Sequence, residues 1–197
     1  AWVGASSPMR LSVAEDGQVY ITDWSDSHPG VWVMNPTSPS SAFKPVFSGL
    51  TLGAGGLSTK NGINVHGSIS HCWVLGTGVN TKLFTFDEDY VDAVATNKGN
   101  LLQYNIGLLE TPWQTAPSKV VYDDGLNGNL QQNMNSSIAP DGRGGWWISQ
   151  YRAEDAAPIP SLIHVGLDGM VDFNSGKTPL LIENSLMDEF KSNFNEG

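Results

Sequence analysis

Apolar residues occur along this chain in short, strand-sized runs that clusters of Gly, Asn, Ser and Pro separate. The runs are rich in Val, Ile, Trp and Tyr, which fit extended backbone, whereas Gly and Pro favour the turns between strands. Several short strands with regular turn signals are typical of all-β architectures. The pattern therefore predicts an all-β protein of short antiparallel strands.

One phrase occurs twice. The first copy reads LSVAEDGQVYITDW and ends at Trp24, and the second reads SSIAPDGRGGWWISQY and ends at Tyr151. Each copy predicts a strand, an Asp-Gly turn and a second strand that ends in an aromatic residue. Self-similarity of this kind indicates a repeated architecture.

Three blocks of the chain each predict four antiparallel strands. The blocks cover approximately 8–50, 62–126 and 134–184, and 185–197 is expected to lead into a following element. The first block predicts strands at 11–14, 18–24, 31–35 and 44–50. The middle block predicts strands at 72–75, 82–87, 100–106 and 119–126, and the last at 137–139, 146–151, 162–165 and 179–183. Alternatively, 62–73 contains a strand pair of its own, which would raise the number of blocks to four.

The repeated residues carry a resemblance to a known architecture. VAEDGQVYITD at 13–23 and, more loosely, IAPDG at 138–142 with WISQ at 147–150 resemble blades of the NHL-like and related six-bladed β-propellers. The resemblance implies four-stranded antiparallel meanders that pack side by side about a common axis, because none of them buries its apolar faces alone. It implies an architecture without a particular activity, since propellers have many unrelated functions.

Three blades are too few to close a ring, because propellers have about 4–8. The chain is therefore expected to be half of a longer propeller, or else to assemble with a second copy, and we prefer the former. In either case the expected partner is the remainder of the propeller, from a second polypeptide segment or a second copy.

The charge of the chain excludes several classes of partner. Asp and Glu number 20 against 10 Lys and Arg, so the net charge is −10. This balance argues against nucleic acid and against docking on an anionic membrane. The longest apolar runs are strand-sized, so no membrane insertion is expected. The composition is similar to that of exported propeller proteins of carbohydrate-using bacteria, which predicts an extracellular, cell-surface or periplasmic location.

The resemblance also implies where a binding site would lie. In such propellers, the connections between second and third strands and those between blades share one face. On this chain these connections are 25–30, 89–99, 152–160, 51–71 and 127–136. The residues expected to converge there are Asp23, Trp24, His28, His66, Asn135, Tyr151 and Arg152. Flat aromatic faces at Trp24 and Tyr151, beside polar groups, suit sugar rings; alternatively, these aromatics wedge between blades.

The preferred function is therefore non-enzymatic, namely a secreted or surface-attached module that binds a glycan or a protein. No catalytic or metal-binding residue is assigned, and no cofactor is expected. The alternative is a channel-centred enzyme, a lactonase-like hydrolase or a lyase. Asp23, Asn64 and Asn135 are partial equivalents of the oxygen ligands that hold Ca²⁺ in lactonase-like propellers, but no Glu stands at a matching position. A third possibility is a scaffold for activity carried by the rest of the propeller.

A single cysteine, Cys72, follows His71 and raises the idea of a nucleophile beside a base. One thiol cannot form an internal disulfide. Neighbouring residues on a strand point to opposite faces, so these two side chains are not expected to meet. The sequence therefore predicts that Cys72 is a small buried residue on a strand.

Overall fold

The computed structural model describes residues 8–23, 30–38, 44–45, 58–60, 63–66, 69–87, 100–107, 119–123, 137–149 and 162–174. Within these ranges the chain forms β-strands and turns, with a single 3₁₀ turn at Gly78–Asn80. The predicted all-β class is therefore confirmed. Among the same residues, no helix is long and apolar enough to cross a membrane.

The first sheet and a hairpin occupy the N-terminal part of the described chain. The strands of the first sheet are β1 (Pro8–Val13), β2 (Val19–Asp23), β3 (Gly30–Met34) and β4 (Lys44–Pro45). The hairpin consists of β5 (Ser58–Lys60) and β6 (Ile63–His66). Neighbouring strands are antiparallel throughout, as short connections require.

Two further four-stranded sheets follow, which we call the middle sheet and the third sheet. The middle sheet contains β7 (Ile69–Leu75), β8 (Lys82–Asp87), β9 (Asn100–Asn105) and β10 (Lys119–Asp123). The third sheet contains β11 (Ser137–Pro140), β12 (Trp146–Ser149), β13 (Leu162–Val165) and β14 (Val171–Asn174). Each is an antiparallel meander in chain order.

Most strands lie close to their predicted positions. Strands β8 and β13 have the predicted bounds, whereas β7 begins at Ile69, before the predicted start at 72. Within the alternative stretch at 62–73 the described residues form β6 and the beginning of β7, but these two strands do not pair with each other, since β6 pairs with β5 and β7 with β8. The predicted strand at 44–50 is described only at Lys44–Pro45, and 46–50 lie outside the described residues.

The fourth strand of the third sheet is not where the sequence analysis placed it. The strand that pairs with β13 is β14, at Val171–Asn174, whereas the prediction was 179–183. The predicted segment lies outside the described residues. The signal that was missed is Asp168-Gly169, because an Asp-Gly pair between two strands favours a tight hairpin.

The turn at 166–170 repeats the geometry of the turn at 14–18. In each, a glycine N–H donates to the carbonyl three residues earlier, at 2.9 Å from Gly17 to Ala14 and at 2.9 Å from Gly169 to Gly166. The two glycines have φ of +84° and +80°, a left-handed conformation that glycine adopts without a Cβ penalty. One turn type therefore closes the first and the last described hairpins.

The turn at 141–145 corrects the alignment of the two sequence repeats. The N–H of Asp141 donates to the carbonyl of Gly145 at 3.0 Å, as the N–H of Ala14 does to that of Gln18 at 2.9 Å. Asp141 is therefore the equivalent of Ala14, although the sequence repeat aligns it with Asp16. The residue equivalent to Gly17 is Gly144, with φ of +96°.

The middle sheet is covered on both faces. Its one face packs on the first sheet in a cluster that we call the first core, formed by Ala14, Tyr20, Val31, Val33, Ile69, Cys72, Val74, Leu83, Leu102, Tyr104 and Ile106. Its other face packs on the third sheet in the second core, formed by Phe84, Phe86, Leu101, Tyr122, Ile138, Trp146, Ile148, Ile163 and Val165. Because side chains alternate between the faces of a strand, one sheet contributes to both cores. The three sheets are therefore stacked in chain order.

The first strands of the three sheets also approach one another. Strand β7 packs against β1 on one side and β11 on the other. Hydrogen bonds also join these strands directly. Arg10 of β1 donates to Ser137 of β11, Ile138 of β11 donates to His71 of β7, and Val74 of β7 donates to Ser12 of β1. We call β1, β7 and β11 the inner strands.

Candidate functional site

The inner strands begin where the second strands of their sheets end. The register pairs Pro8 with Asp23, Ile69 with Asp87, and Ser137 with Ser149. The connections that follow β2, β8 and β12 therefore all start at the same end of the stack. We call it the loop end, and we call the opposite end, with the turns 14–18, 76–81 and 141–145, the turn end.

A group of polar residues joins the inner strands at the loop end. We call it the inner-strand cluster, and its members are Arg10, Thr22, Ser70, His71 and Ser137. Arg10 donates from Nε to Ser137 Oγ at 3.3 Å, which links the first sheet to the third. The Arg10 backbone N–H donates to Thr22 Oγ1 at 3.2 Å, and the Thr22 hydroxyl donates to the Ser70 carbonyl at 3.4 Å.

His71 is the buried centre of this cluster. The backbone N–H of Ile138 donates to His71 Nδ1 at 2.8 Å, so the ring proton of the neutral imidazole is on Nε2. Burial, with a smaller contribution from the positive charge of Arg10, lowers the pKa of His71 to about 4. The imidazole is therefore neutral near pH 7 and acts as a hydrogen-bond acceptor between two sheets.

Buried hydroxyl groups lie close to this region on the middle sheet. The Oγ of Ser70 and the Oγ1 of Thr85 are buried without a hydrogen-bond partner. Ser12 Oγ, by contrast, accepts a hydrogen bond from the Val74 N–H at 3.3 Å. A buried polar group without a partner costs about 1–3 kcal/mol. The described interface between the first and middle sheets therefore contains buried hydroxyl groups as well as apolar side chains.

Few of the predicted site residues lie in the described part of the chain. Asp23 is the last residue of β2, at the loop end, and is 1% exposed, so it is an interior carboxyl group. His66 is the last residue of β6, in the separate hairpin, and Asn64 lies in the same strand. The remaining predicted residues, which lie outside the described residues, are Trp24, His28, Asn135, Tyr151 and Arg152.

The sequence analysis missed Arg10, His71 and Ser137 as members of one cluster. Of the three, only Ser137 stands immediately before the first apolar residue of its strand, whereas Met9 precedes Arg10 and Ile69 precedes His71 in theirs. The predicted strands begin at 11 and at 72, so Arg10 and His71 both lie outside them. Contact between residues so distant in the chain depends on how the sheets pack.

A second polar cluster lies at the turn end of the third sheet. His164 contacts Asp172 Oδ1 from Nδ1 at 2.5 Å and Asp141 Oδ2 from Nε2 at 3.0 Å. Its ring also packs against Trp147, with centroids 4.5 Å apart. Ile163 and Val165 point into the second core, so the alternation of side chains along β13 places His164 on the opposite face.

Charges hold this second cluster together. Partial burial opposes protonation of His164, but the hydrogen bonds and charges of Asp172 and Asp141 outweigh it and raise its pKa. Hydrogen bonds from the Arg143 backbone, His164 and Gly145 lower the pKa of Asp141 despite its desolvation. Because both ring nitrogens face carboxylates, this histidine fastens the turn to the third sheet.

Cys72 and His71 do not form a catalytic pair. Cys72 is fully buried in the first core, whereas His71 bonds to the third sheet on the other side. Burial raises the pKa of the Cys72 thiol to about 12, so it stays protonated. The prediction of a buried structural cysteine is confirmed. In the described part of the chain, no group of three or more His, Cys, Asp or Glu residues could hold a metal ion.

The described residues thus define an all-β protein of stacked, four-stranded antiparallel sheets with a polar junction at one end. No protein-family model matches the chain, and no curated protein is significantly similar to it.

Proposed function

We propose that this chain is a section of a β-propeller and that it binds a ligand, a glycan or a protein, at the loop end. The observation that carries the proposal is the convergence of three sheets at that end. The Arg10–Ser137 and His71–Ile138 contacts bring the inner strands together where β2, β8 and β12 finish. Connections supported by a rigid scaffold are the usual place for binding.

The glycan form of the proposal depends on the residues that follow the second strands. Trp24 comes directly after the last residue of β2, and Tyr151 follows β12 after one intervening residue. Aromatic rings supply flat apolar area at low entropic cost, and an arginine supplies several hydrogen-bond donors. The described arginine at this end is Arg10, which is exposed. Apolar faces and hydroxyl edges of sugars match this combination.

We also propose that the protein acts outside the cytoplasm and has no enzymatic activity of its own. The inner-strand cluster supports the absence of enzymatic activity, because its members Arg10, Thr22, His71 and Ser137 each have a structural partner in a neighbouring strand. A neutral, buried His71 that accepts a backbone N–H has no free basic nitrogen, since the other nitrogen carries the proton.

A glycan array followed by calorimetry tests the proposal. Trp24→Ala and Tyr151→Ala should each weaken the binding of any glycan found by about tenfold or more, as expected for aromatic anchors. The control is Val79→Ala, which changes an exposed residue at the turn end and should leave affinity unchanged. Binding that neither loop-end variant affects would contradict the glycan form of the proposal. Turnover of a hydrolysable ester or lactone by the purified chain would favour the enzyme instead.

A further inference from the structure

The outer face of the first sheet is apolar and partly exposed in the described part of the chain, and we call it an open face of the stack. Tyr20, Val31 and Val33 point into the first core, so the alternation of β1, β2 and β3 places a second set of residues on the opposite face. Towards the turn end that set is Leu11, Val13, Val19, Ile21, Trp32 and Met34, of which the last four are half-buried. The same alternation places the buried Asp23 on this face at the loop end. Leu11 and Val13 are 61% and 59% exposed. Adjacent exposed apolar residues on a sheet face are typical of an interaction surface.

The outer face of the third sheet is the other open face of the stack. Ile148, Ile163 and Val165 point into the second core, so Trp147, His164 and Phe173 lie on the far side. The Trp147 ring packs edge-on against Phe173 with centroids 5.8 Å apart, and Phe173 is 44% exposed. This face presents a row of rings across three strands.

The two interfaces inside the chain follow one rule. Tyr20 of β2 enters the first core, which also contains Leu83 of the middle sheet. Phe84 of β8 enters the second core and packs on Trp146 of the third sheet, with centroids 4.5 Å apart. In each case a ring from the second strand of one sheet packs on apolar residues of the next sheet. Trp147 of β12 continues the series, and it lies on the open face of the third sheet.

The open faces are therefore the two halves of one more interface of the same kind. The third sheet contributes the ring of Trp147, and the outer face of the first sheet contributes the apolar residues on which this ring packs. A single chain cannot bring them together, because the middle sheet separates them. A second copy supplies both missing halves at once, with the same surfaces on each partner.

We propose that two copies of this chain bind each other through these faces, the first sheet of each against the third sheet of the other. In this arrangement the described four-stranded sheets of the two copies, three from each, form a ring about a two-fold axis. The inference rests on the side-by-side arrangement of sheets in the proposed propeller, and it is independent of any ligand. It closes both open faces with residues that this chain itself provides.

Sedimentation and native mass spectrometry from about 1 to about 100 µM test the inference. The unmodified chain should be a dimer with no larger species. Leu11→Asp with Val13→Asp, on one face, and Phe173→Asp, on the other, should each raise the dissociation constant by about tenfold or more. Val79→Asp is the control, because Val79 is 69% exposed and lies on neither face, and it should leave the dimer unchanged. Circular dichroism verifies that each variant is folded.

Mixing the two impaired variants determines which faces meet. The Leu11→Asp, Val13→Asp chain and the Phe173→Asp chain together retain one intact interface, so they should form a mixed dimer more tightly than either forms with itself. A monomeric unmodified chain, or a dimer that depends on Leu11 and Val13 but not on Phe173, would overturn the inference. A monomer that still binds a glycan through Trp24 would overturn it and leave the proposed function intact.

Discussion

Leu101 and Leu102 are neighbours in β9, yet their side chains belong to different hydrophobic cores. Leu102 points towards the first sheet and Leu101 towards the third, and each is 0% exposed. An antiparallel sheet commonly has one face in the core and one in water. The two faces of the middle sheet pack in two different hydrophobic cores, so the described four-stranded sheets form a stack of three layers.

Leu101→Ala and Leu102→Ala should therefore destabilise the protein to a similar degree. Each removes a fully buried side chain and leaves a cavity, at a cost of about 2–5 kcal/mol in the free energy of unfolding. The control is Val120→Ala on β10, where the side chain is 45% exposed and the change should cost about 0.5 kcal/mol or less. Chemical denaturation measures all three. A near-neutral result at either leucine would indicate that one face of the middle sheet is open to water.

Gly17 and Gly169 form a matched pair for a test of backbone strain. Both have positive φ in the same turn type, so alanine at either position should cost about 1–2 kcal/mol. A Cβ at Gly17 has no neighbour within 4 Å, whereas one at Gly169 would lie 2.9 Å from the carbonyl oxygen of Val121 in the middle sheet. Gly169→Ala should therefore lower the melting temperature more than Gly17→Ala. Equal effects would contradict this contact between the third and middle sheets.

His71 should make the protein sensitive to acid. Its pKa is lowered from an ordinary value near 6.5 to about 4, so between these values the unfolded chain binds a proton that the folded chain does not. The contribution is complete above about pH 6.5 and is lost as the pH falls towards 4, to a total of about 3 kcal/mol. His71→Asn keeps an acceptor but does not titrate. The difference in unfolding free energy between the unmodified chain and the His71→Asn variant, measured as a function of pH, should show this loss. A difference that does not change with pH would contradict the prediction.

His164 should have the opposite dependence on pH. Its pKa is raised by Asp172 and Asp141, so the folded chain holds the proton more tightly than the unfolded chain. The resulting stabilisation is present below an ordinary histidine pKa of about 6.5 and is lost as the pH rises through the raised value. Proton NMR of the His164 ring measures its titration directly. Asp172→Asn should move the midpoint down, and a midpoint at or below about 6.5 in the unmodified chain would refute the prediction.

Cys72 should be unreactive in the folded protein. It is fully buried, and its pKa of about 12 leaves almost no thiolate near pH 7. Iodoacetamide should label it only after denaturant is added, and intact mass spectrometry counts the adduct. Rapid labelling under native conditions would show that the first core opens at β7.

The fold class and most of the strands could be predicted because they depend on local chemistry. The alternation of apolar residues and the Asp-Gly pair located β2, β11 and β12 closely, whereas β1 begins at Pro8, before its predicted start at 11. The same reasoning failed at β14, where the strand begins directly after Asp168-Gly169. The segment at 179–183 has the stronger hydrophobic pattern and therefore favours a strand there, whereas the Asp-Gly pair favours one at 171–174.

Much less of the site could be predicted. The equivalent positions of Trp24 and Tyr151 in the repeat favour both as ligand-binding residues, and this role stays a prediction. The partnership of His71 with the backbone of Ile138, and that of His164 with Asp141 and Asp172, had no signal of comparable strength. Residue spacing along a strand indicates which face a side chain occupies, but it does not indicate which sheet covers that face.

By itself the sequence determined that this protein is all-β, that its strands form repeated meanders, and that Cys72 is buried. These properties depend on the periodicity of apolar residues and on turn residues a few positions apart. Only the tertiary structure decided that the middle sheet is covered twice and that Arg10, His71 and Ser137 meet at the loop end. It also decided that Leu11 and Phe173 lie on the two open faces. Such contacts join residues far apart in the chain, and they depend on which faces pack together rather than on any local pattern.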